Sequence, residues 1–554
     1  MKKIFYMIFT LLIILFFFGG CKSEEETNLP SQEETQQESK KEYTLNLSEL
    51  QFTSWDENTF SYDEKTNKLI ISTNFSGGQV WIDYKNTDPF NYFYIEYESN
   101  YLFKINLVYS DSSIKETILS PFENKKIIDL DSSKLNEGLL IQISSLHKPI
   151  TVSLKMIKFI TEIPDKFDEV IEQTIIDSAT IGNFDDSLSA MELAKKMKMG
   201  WNLGNTLDAY DKETFSFGSY PYDEGLISQC KWGESITTKQ IIETGYQYGY
   251  KTIRIPVTWF NHIIDEDYTI NPQWMNYVKK IVDWAIDTGY YVILNEHHSV
   301  RDNMNGILQT GEGYTLSTTD KEESKKFLVN IWKQICMTFN NSYDEHLIFE
   351  TINEPRNTKH DHCWDPSPDT CNECEENINI LNEYNQLILD TIRQSGGNNA
   401  KRFVIIPPIC IRMDLGHRDD INFKLPTDTA ADKLLVTVHD YPLGTGEEGF
   451  PVKDFSEEIK YRMTYDLDLL NEKWCKKGIP VIIGETGVPR IIDGKNNNKN
   501  LYESMKHYAT ISGKYSMPMI FWDAGGLNTI DRDNCKPFDL EFVDTVVSAW
   551  NNIN

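Results

Sequence analysis

Positive charge is scarce in this chain. Lys and Arg number 54 against 84 Asp and Glu, so the formal net charge is −30 over 554 residues. Such a chain repels a phosphate backbone, which argues against nucleic-acid binding. A long apolar run is also missing. The most apolar stretch, Ile4 to Phe18, is too short and wrongly flanked for a good membrane span. No Gly-rich phosphate loop follows any strand-like run, which leaves a doubly wound nucleotide-binding sheet without support. Core material, by contrast, is plentiful. Hydrophobic residues make up 40 % of the chain and aromatic residues 12 %. Wholesale disorder is thereby excluded, and the length is compatible with about three domains.

Lys2 and Lys3 precede the apolar run, and Gly19, Gly20 and Cys21 follow it. A positive start, an apolar stretch and small residues before a cut describe a secretory signal over residues 1–21. Small residues directly before a Cys resemble the lipobox of bacterial lipoproteins. That resemblance implies a lipidated N-terminus at Cys21, a membrane partner through the lipid anchor, and an exported chain on the bacterial cell surface or facing the periplasm. Cleavage by an ordinary signal peptidase is the other reading. Residues 22–42 hold no aromatic and almost nothing apolar, so they form no core and read as an acidic disordered tether.

From residue 43 to 160 the texture is β. LIISTNFSGGQVWIDY (69–84) alternates about a Gly77-Gly78 turn. FYIEY (93–97), FKINLVYS (103–110), KKIIDL (125–130), GLLIQISSL (138–146) and ITVSLKMIKFI (150–160) follow at short spacing. This pattern predicts a small antiparallel sandwich. Trp55 and Trp81 either form an aromatic stacking surface or fill the core. Loosely, the segment resembles the accessory carbohydrate-binding modules that precede bacterial glycanases; a structural spacer is the alternative. Residues 161–186 read as a linker.

Across 187–554 apolar strand-like runs are separated by longer, helix-bearing stretches. Ser189 and Glu192 have capping-box spacing in front of SAMELAKKM. The runs are MGWNLGN (199–205), KTIRIPV (251–257), YVILNEHH (291–298), HLIFETINEP (346–355), RFVIIPP (402–408), LLVTVHDY (434–441), PVIIGETG (480–487) and MIFWDAGG (519–526). Before the third, Met275, Val278, Val282, Ala285 and Ile286 fall at helical spacing and Gly289 supplies a cap. Eight such units predict an α/β chain with a (β/α)8 barrel, preceded by the all-β domain.

Each run is apolar and then ends in groups able to do chemistry: Arg254; Asn295, Glu296, His297 and His298; Asn353 and Glu354; His439 and Tyr441; Glu485; Trp522. In a barrel these ends converge on one face. Buried carboxylates, imidazoles and a guanidinium are costly unless paired, so folding alone would not gather them there. Glu354 and Glu485, facing each other from strands four and seven, are the minimal kit for glycoside hydrolysis. One carboxyl must stay ionised to attack, and the other must hold a proton for the leaving oxygen.

The motifs GWNLGNTLDA (200–209), KWGE (231–234), TIRIPVTW (252–259), VILNEHH (292–298), FETINEPR (349–356), VTVHDY (436–441), IPVIIGETG (479–487) and FWDAGG (521–526) resemble glycoside hydrolase family 5, the cellulase family, with the flavour of its subfamily 4. The resemblance implies a retaining endo-β-1,4-glucanase acting on cellulose, mixed-linkage β-glucan or xyloglucan, with no cofactor. By position Glu354 corresponds to the acid/base and Glu485 to the nucleophile. Arg254, His297, Asn353, His439, Tyr441 and Trp522 match the other active-site positions, and His298, Asn202 and Trp232 shape neighbouring subsites. A retaining pair implies carboxyls about 5–5.5 Å apart. Mannan or xylan is the alternative substrate. A non-catalytic surface glycan binder would lack one of the two Glu.

The adjacent His297 and His298 suggest a metal, but strand neighbours point to opposite faces, so no catalytic metal is expected. The same alternation sends Glu296 outward as a structural residue. Asp523 reads as a loop or cleft residue. HDHCWDPSPDTCNEC (360–374) places Cys363, Cys371 and Cys374 beside His360 and His362. Zinc takes such ligands, whereas export favours a disulfide, so three readings stay open: a disulfide in this loop, a structural metal, or free thiols. Trp364 in the same loop is placed to line the cleft. Cys230, Cys336, Cys410, Cys475 and Cys535 read mostly as buried thiols. Nothing points beyond a monomer.

Overall fold

Alternation of apolar and polar residues in the N-terminal part resolves into two antiparallel sheets sharing one core. In the computed structural model, residues 42–552 are described apart from 56–58, 74–76, 83–89, 136–137, 146–149, 165–171, 181, 211–221, 224, 300–312, 447–449 and 493–494. The signal, Cys21 and nearly all of the tether lie outside the described residues. Among the described residues no helix is long and apolar enough to cross a membrane.

One sheet runs Thr59–Asp63, Lys68–Thr73, Ile150–Ile160, Tyr92–Ser99, Lys125–Asp129, with Glu42–Thr44 added along Ile150–Ile160. The other runs Thr53–Ser54, Gly77–Ile82, Leu139–Ser145, Phe103–Tyr109, Ile114–Leu119. Phe103, Ile105, Leu107 and Tyr109 point inward and their neighbours outward, the period-two pattern of a half-buried strand. The turn expected at Gly77-Gly78 is corrected. Both glycines open a strand, and the segments on either side belong to different sheets. A Cβ on Gly77 would lie 2.2 Å from the Ile143 carbonyl oxygen, so this glycine serves close strand approach rather than a turn.

The C-terminal part is a closed barrel of eight parallel strands: Met199–Asn202, Thr252–Ile255, Tyr291–Asn295, Leu347–Glu350, Val404–Ile406, Leu434–His439, Val481–Thr486 and Met519–Trp522. The first strand pairs with both the second and the eighth. Nearly every strand residue is buried, because helices cover the outside and side chains fill the inside. The first helix, Ala190–Met197, has its Ser189–Glu192 capping box. The helix Pro272–Thr288 starts on an Asn271 cap and ends at Gly289, whose φ of +100° suits only glycine readily. Asn202 stands in register with Arg254 on one side and Trp522 on the other, so these three share one level near the strand ends.

The stretch read as a linker is fastened where it is described. The Asp177 carboxylate accepts from the backbone N–H of Asn340 and Ser342 (3.1 and 2.7 Å), and the Asn341 amide donates to the Ala179 carbonyl. The sandwich itself touches the barrel. Tyr101 donates to the Cys230 carbonyl (3.1 Å), and Phe122 meets Tyr277 edge-on at 5.4 Å.

Candidate active site

Arg254 is fully buried at the centre of the polar cluster. Its Nε donates to Glu350 Oε2 (2.8 Å), its Nη1 to Asn202 Oδ1 (2.9 Å) and Glu485 Oε1 (2.8 Å), and its Nη2 to Asn353 Oδ1 (2.8 Å). A buried guanidinium left without such partners costs about 3–5 kcal/mol. Here two carboxylates and two amides satisfy it, and they hold its charge against Glu485. Burial and the attraction of Arg254 and His439 act in opposite directions on the Glu485 carboxyl, and burial, the larger effect, raises it. The Tyr441 hydroxyl donates to its second oxygen at 2.8 Å. The register shifts between Val438 and His439, so that Gly484 is passed over and His439 stands opposite Glu485.

Glu354 lies just past the fourth strand, with a backbone φ of +35° that side chains rarely adopt. Pro355 follows it. Its Oε1 is 3.0 Å from His439 Nδ1, and that nitrogen is 3.5 Å from Glu485 Oε2. Arg356 donates to the Glu354 carbonyl and stands 3.8 Å from its carboxylate. Burial pushes Glu354 up, but the His439 hydrogen bond, with the charges of His439, Arg356 and His298, outweighs it and holds the carboxyl at about 2. One ligating atom each from Glu354, His439 and Glu485 lie within 4.8 Å of one another. The Glu354 side chain is the more open of the two, 22 % exposed against 6 %.

Around the pair sit flat rings. Trp522 is half-buried, stacked with His297 at 5.7 Å and 9°. A Cβ on Gly204 would fall 2.9 Å from the Trp522 indole, so glycine there lets the ring lie flat on the backbone. Asn295 Nδ2 is 3.1 Å from His297 Nδ1, and burial holds that imidazole far below its ordinary range, hence neutral. His298 is half-buried and packs at 5.4 Å on Trp232, whose Nε1 donates to the Tyr210 carbonyl.

Several expectations need correction. Asn202 does not line a subsite. It is fully buried, and its amide donates to the Gly484 and Phe521 carbonyls while its oxygen holds Arg254, so it positions that guanidinium. His297 and His298 do not point to opposite faces. The strand stops at Asn295, alternation no longer applies beyond it, and the rings approach to 4.4 Å. Asp523 is buried rather than in the cleft, accepting from Thr529 and Ile530. Glu296 is buried beside the site, bonded to the Ser299 N–H, and burial raises it to about 7. Glu350 and Tyr210 are neighbours of the cluster not selected from the sequence. Glu350 had one signal, a carboxylate ending the otherwise apolar run Leu347–Glu350.

A closed parallel barrel carrying two near carboxylates, an imidazole between them and an aromatic floor defines a hydrolase of the (β/α)8 glycosidase class. The chain belongs to the cellulase family, glycosyl hydrolase family 5, whose model matches residues 208–528. It is 36 % identical to Endoglucanase B of Neocallimastix patriciarum over 345 residues, 61 % of this chain and 66 % of that one, just under two thirds of the relative's length. It is 35 % identical to Endoglucanase 1 of Ruminococcus albus, over 60 % of this chain and 73 % of that protein. Among solved structures, a family 5 lichenase from Caldicellulosiruptor sp. F32, a mutant in complex with cellotetraose, superposes with a TM-score of 0.58 at 32 % identity, covering 69 % of this chain and 99 % of that one. A GH5-4 broad-specificity endoglucanase from Ruminococcus champanellensis with bound cellotriose gives 0.56 at 30 % identity, covering 66 % and 99 %.

Proposed function

We propose that this glycoside hydrolase is a retaining endo-β-1,4-glucanase taking cellulose, mixed-linkage β-glucan or xyloglucan, with Glu485 as nucleophile and Glu354 as acid/base. The observation that carries the reading is the Glu354–His439–Glu485 cluster, its ligating atoms within 4.8 Å. Oxygens of the two carboxyls that approach this closely are compatible with a retaining pair, whose carboxyls stand about 5–5.5 Å apart. Glu485 attacks the anomeric carbon as the glycosidic C–O bond breaks, and Glu354 gives its proton to the leaving oxygen. Glu354 then takes a proton from water, whose oxygen displaces Glu485 and frees the sugar. Glu485 holds the two strong donors, Arg254 and Tyr441, an environment favouring a carboxylate. Asn353 gives its oxygen to Arg254, which leaves its Nδ2 to hold a sugar hydroxyl. Trp522 supports stacking under the reacting sugar.

The sandwich is proposed as a glycan-binding module. On its outer face Asn106 donates to Gln142 and Gln142 to Gln79, a row of amides beside Trp81, which is 49 % exposed. Amides and a flat exposed ring are what a neutral polysaccharide chain needs. One panel tests both readings. Soluble cellulose derivatives, β-glucan, xyloglucan, mannan and xylan are digested, with products sized. Reducing ends and shortened chains from the glucans support the glucanase. Release from mannan or xylan alone moves the substrate, and binding without release leaves a non-catalytic binder. Trp81→Ala is expected to lower activity on insoluble cellulose several-fold and leave cello-oligosaccharide hydrolysis unchanged; equal rates on both would make the sandwich a spacer.

The signal pattern supports export and anchoring through Cys21. Labelled palmitate incorporated by the expressing cell and lost in Cys21→Ser is the expected result; no incorporation into the parent chain would leave an ordinary secreted enzyme.

A further inference from the structure

The loop after Glu354 gathers ligands that the proposed hydrolysis does not use. His360, His362, Cys371 and Cys374 each present one ligating atom, all four within 4.8 Å of one another. Cys371 Sγ lies 3.4 Å from His360 Nε2, and Cys374 Sγ lies 3.4 Å from His362 Nδ1. In a tetrahedral zinc site with ordinary Zn–S and Zn–N bonds, the sulfur-to-nitrogen edge is about 3.6 Å. Neither Cys371 nor Cys374 is joined in a disulfide in this structure.

From this geometry we infer a structural zinc site of two cysteines and two histidines, closing the loop from His360 to Cys374. Two thiolates and two neutral imidazoles balance the charge of Zn2+, so the loop holds the ion without stranding a charge. Cys371 caps the helix Asn372–Gln394 and accepts the Cys374 N–H at 3.4 Å. One contact changes on loading. His360 Nδ1 now accepts the His362 N–H at 2.9 Å. A ring that ligates through Nε2 carries its proton on Nδ1, so that contact opens.

The staple sits behind the acid/base candidate. The loop's Trp364 lies under the Arg356 guanidinium at 4.2 Å, and Arg356 donates to the Glu354 carbonyl. Arg412 holds the Trp364 carbonyl at 2.9 Å, and the Cys410 thiol donates to the Cys363 carbonyl at 3.0 Å. Between the two ligand pairs the chain has turns but no regular element. A cross-link there removes loop freedom that hydrogen bonds alone leave.

The test uses the full chain purified under reducing conditions. Metal analysis is expected to give one zinc per chain, none in Cys371→Ser/Cys374→Ser, and one in Cys535→Ser, a thiol outside the cluster. Cobalt loading of the parent chain is expected to give the visible bands of a tetrahedral ion with a thiolate charge-transfer band, and His360→Ala to alter them. Chelation is expected to lower Tm in the parent chain but not in the double variant. If the double variant does not fold, the cobalt spectrum of the parent decides alone. No zinc uptake by the reduced parent, a zinc count unchanged in the double variant, or a cobalt spectrum without thiolate ligation would each overturn the site. So would a Cys371–Cys374 disulfide, with no zinc bound, in chain purified in parallel without reductant.

Discussion

Glu485→Ala lowers kcat on β-glucan by roughly 10^4-fold or more, because the covalent step loses its attacking atom. The fold survives, since Arg254 keeps Glu350 at 2.6 Å together with the Asn202 and Asn353 amides. Far-UV circular dichroism and Tm close to the parent check that point. Alanine also leaves a small cavity on the face from which Glu485 attacks, next to the Arg254 cation. An azide ion suits that cavity in size and charge. With an aryl β-cellobioside carrying a good leaving group, azide attacks the anomeric carbon from the Glu485 side, and the product is the α-glycosyl azide. Azide-dependent turnover with α product ties the loss to the nucleophile. Near-parent activity without azide, or β product, would take that role from Glu485.

What the sequence showed of this site depended on where chemistry-bearing residues interrupt apolar runs. Eight buried strands, most of them ending in polar groups, were legible because a parallel barrel strand has no solvent face and must read as a continuous apolar run. The boundaries were less so. The runs to His298 and Pro355 end, as strands, at Asn295 and Glu350. Alternation arguments carried beyond those ends misplaced His298. Glu350 was missed and Asn202 misread for one reason. Both serve Arg254 inside the barrel, and a residue that supports another has no spacing of its own to betray it. In the sandwich, Gly77 looked like a turn because sequence cannot separate glycine needed for positive φ from glycine needed for close approach. The cysteine-rich loop was ambiguous for a similar reason. C-x2-C spacing is shared by disulfides and metal knuckles, and only the convergence of His360 and His362 on those sulfurs distinguishes them.

Glu354→Ala separates the two chemical steps. Loss of the acid slows cleavage of natural glucans about 10^2–10^4-fold, the range of general acid catalysis. An aryl β-cellobioside whose leaving group needs no proton still forms the glycosyl-enzyme, so it shows a burst followed by slow turnover, because no base activates water. Azide needs no base, and it now attacks from the opened Glu354 side to give the β-glycosyl azide. A natural-substrate rate near the parent's, or α product, would sink the assignment. The His439 pair adds a pH test. Its charge lowers both carboxyls. Glu485 must be ionised to attack, so its titration sets the acid limb of kcat/KM. In His439→Ala the Glu485 carboxyl loses that pull and titrates higher, and the acid limb moves to higher pH. An acid limb that stays in place or moves down would mean that His439 does not act on Glu485. Because three groups share this cluster, the two limbs belong to the cluster as a whole, and the shift between parent and variant carries the argument.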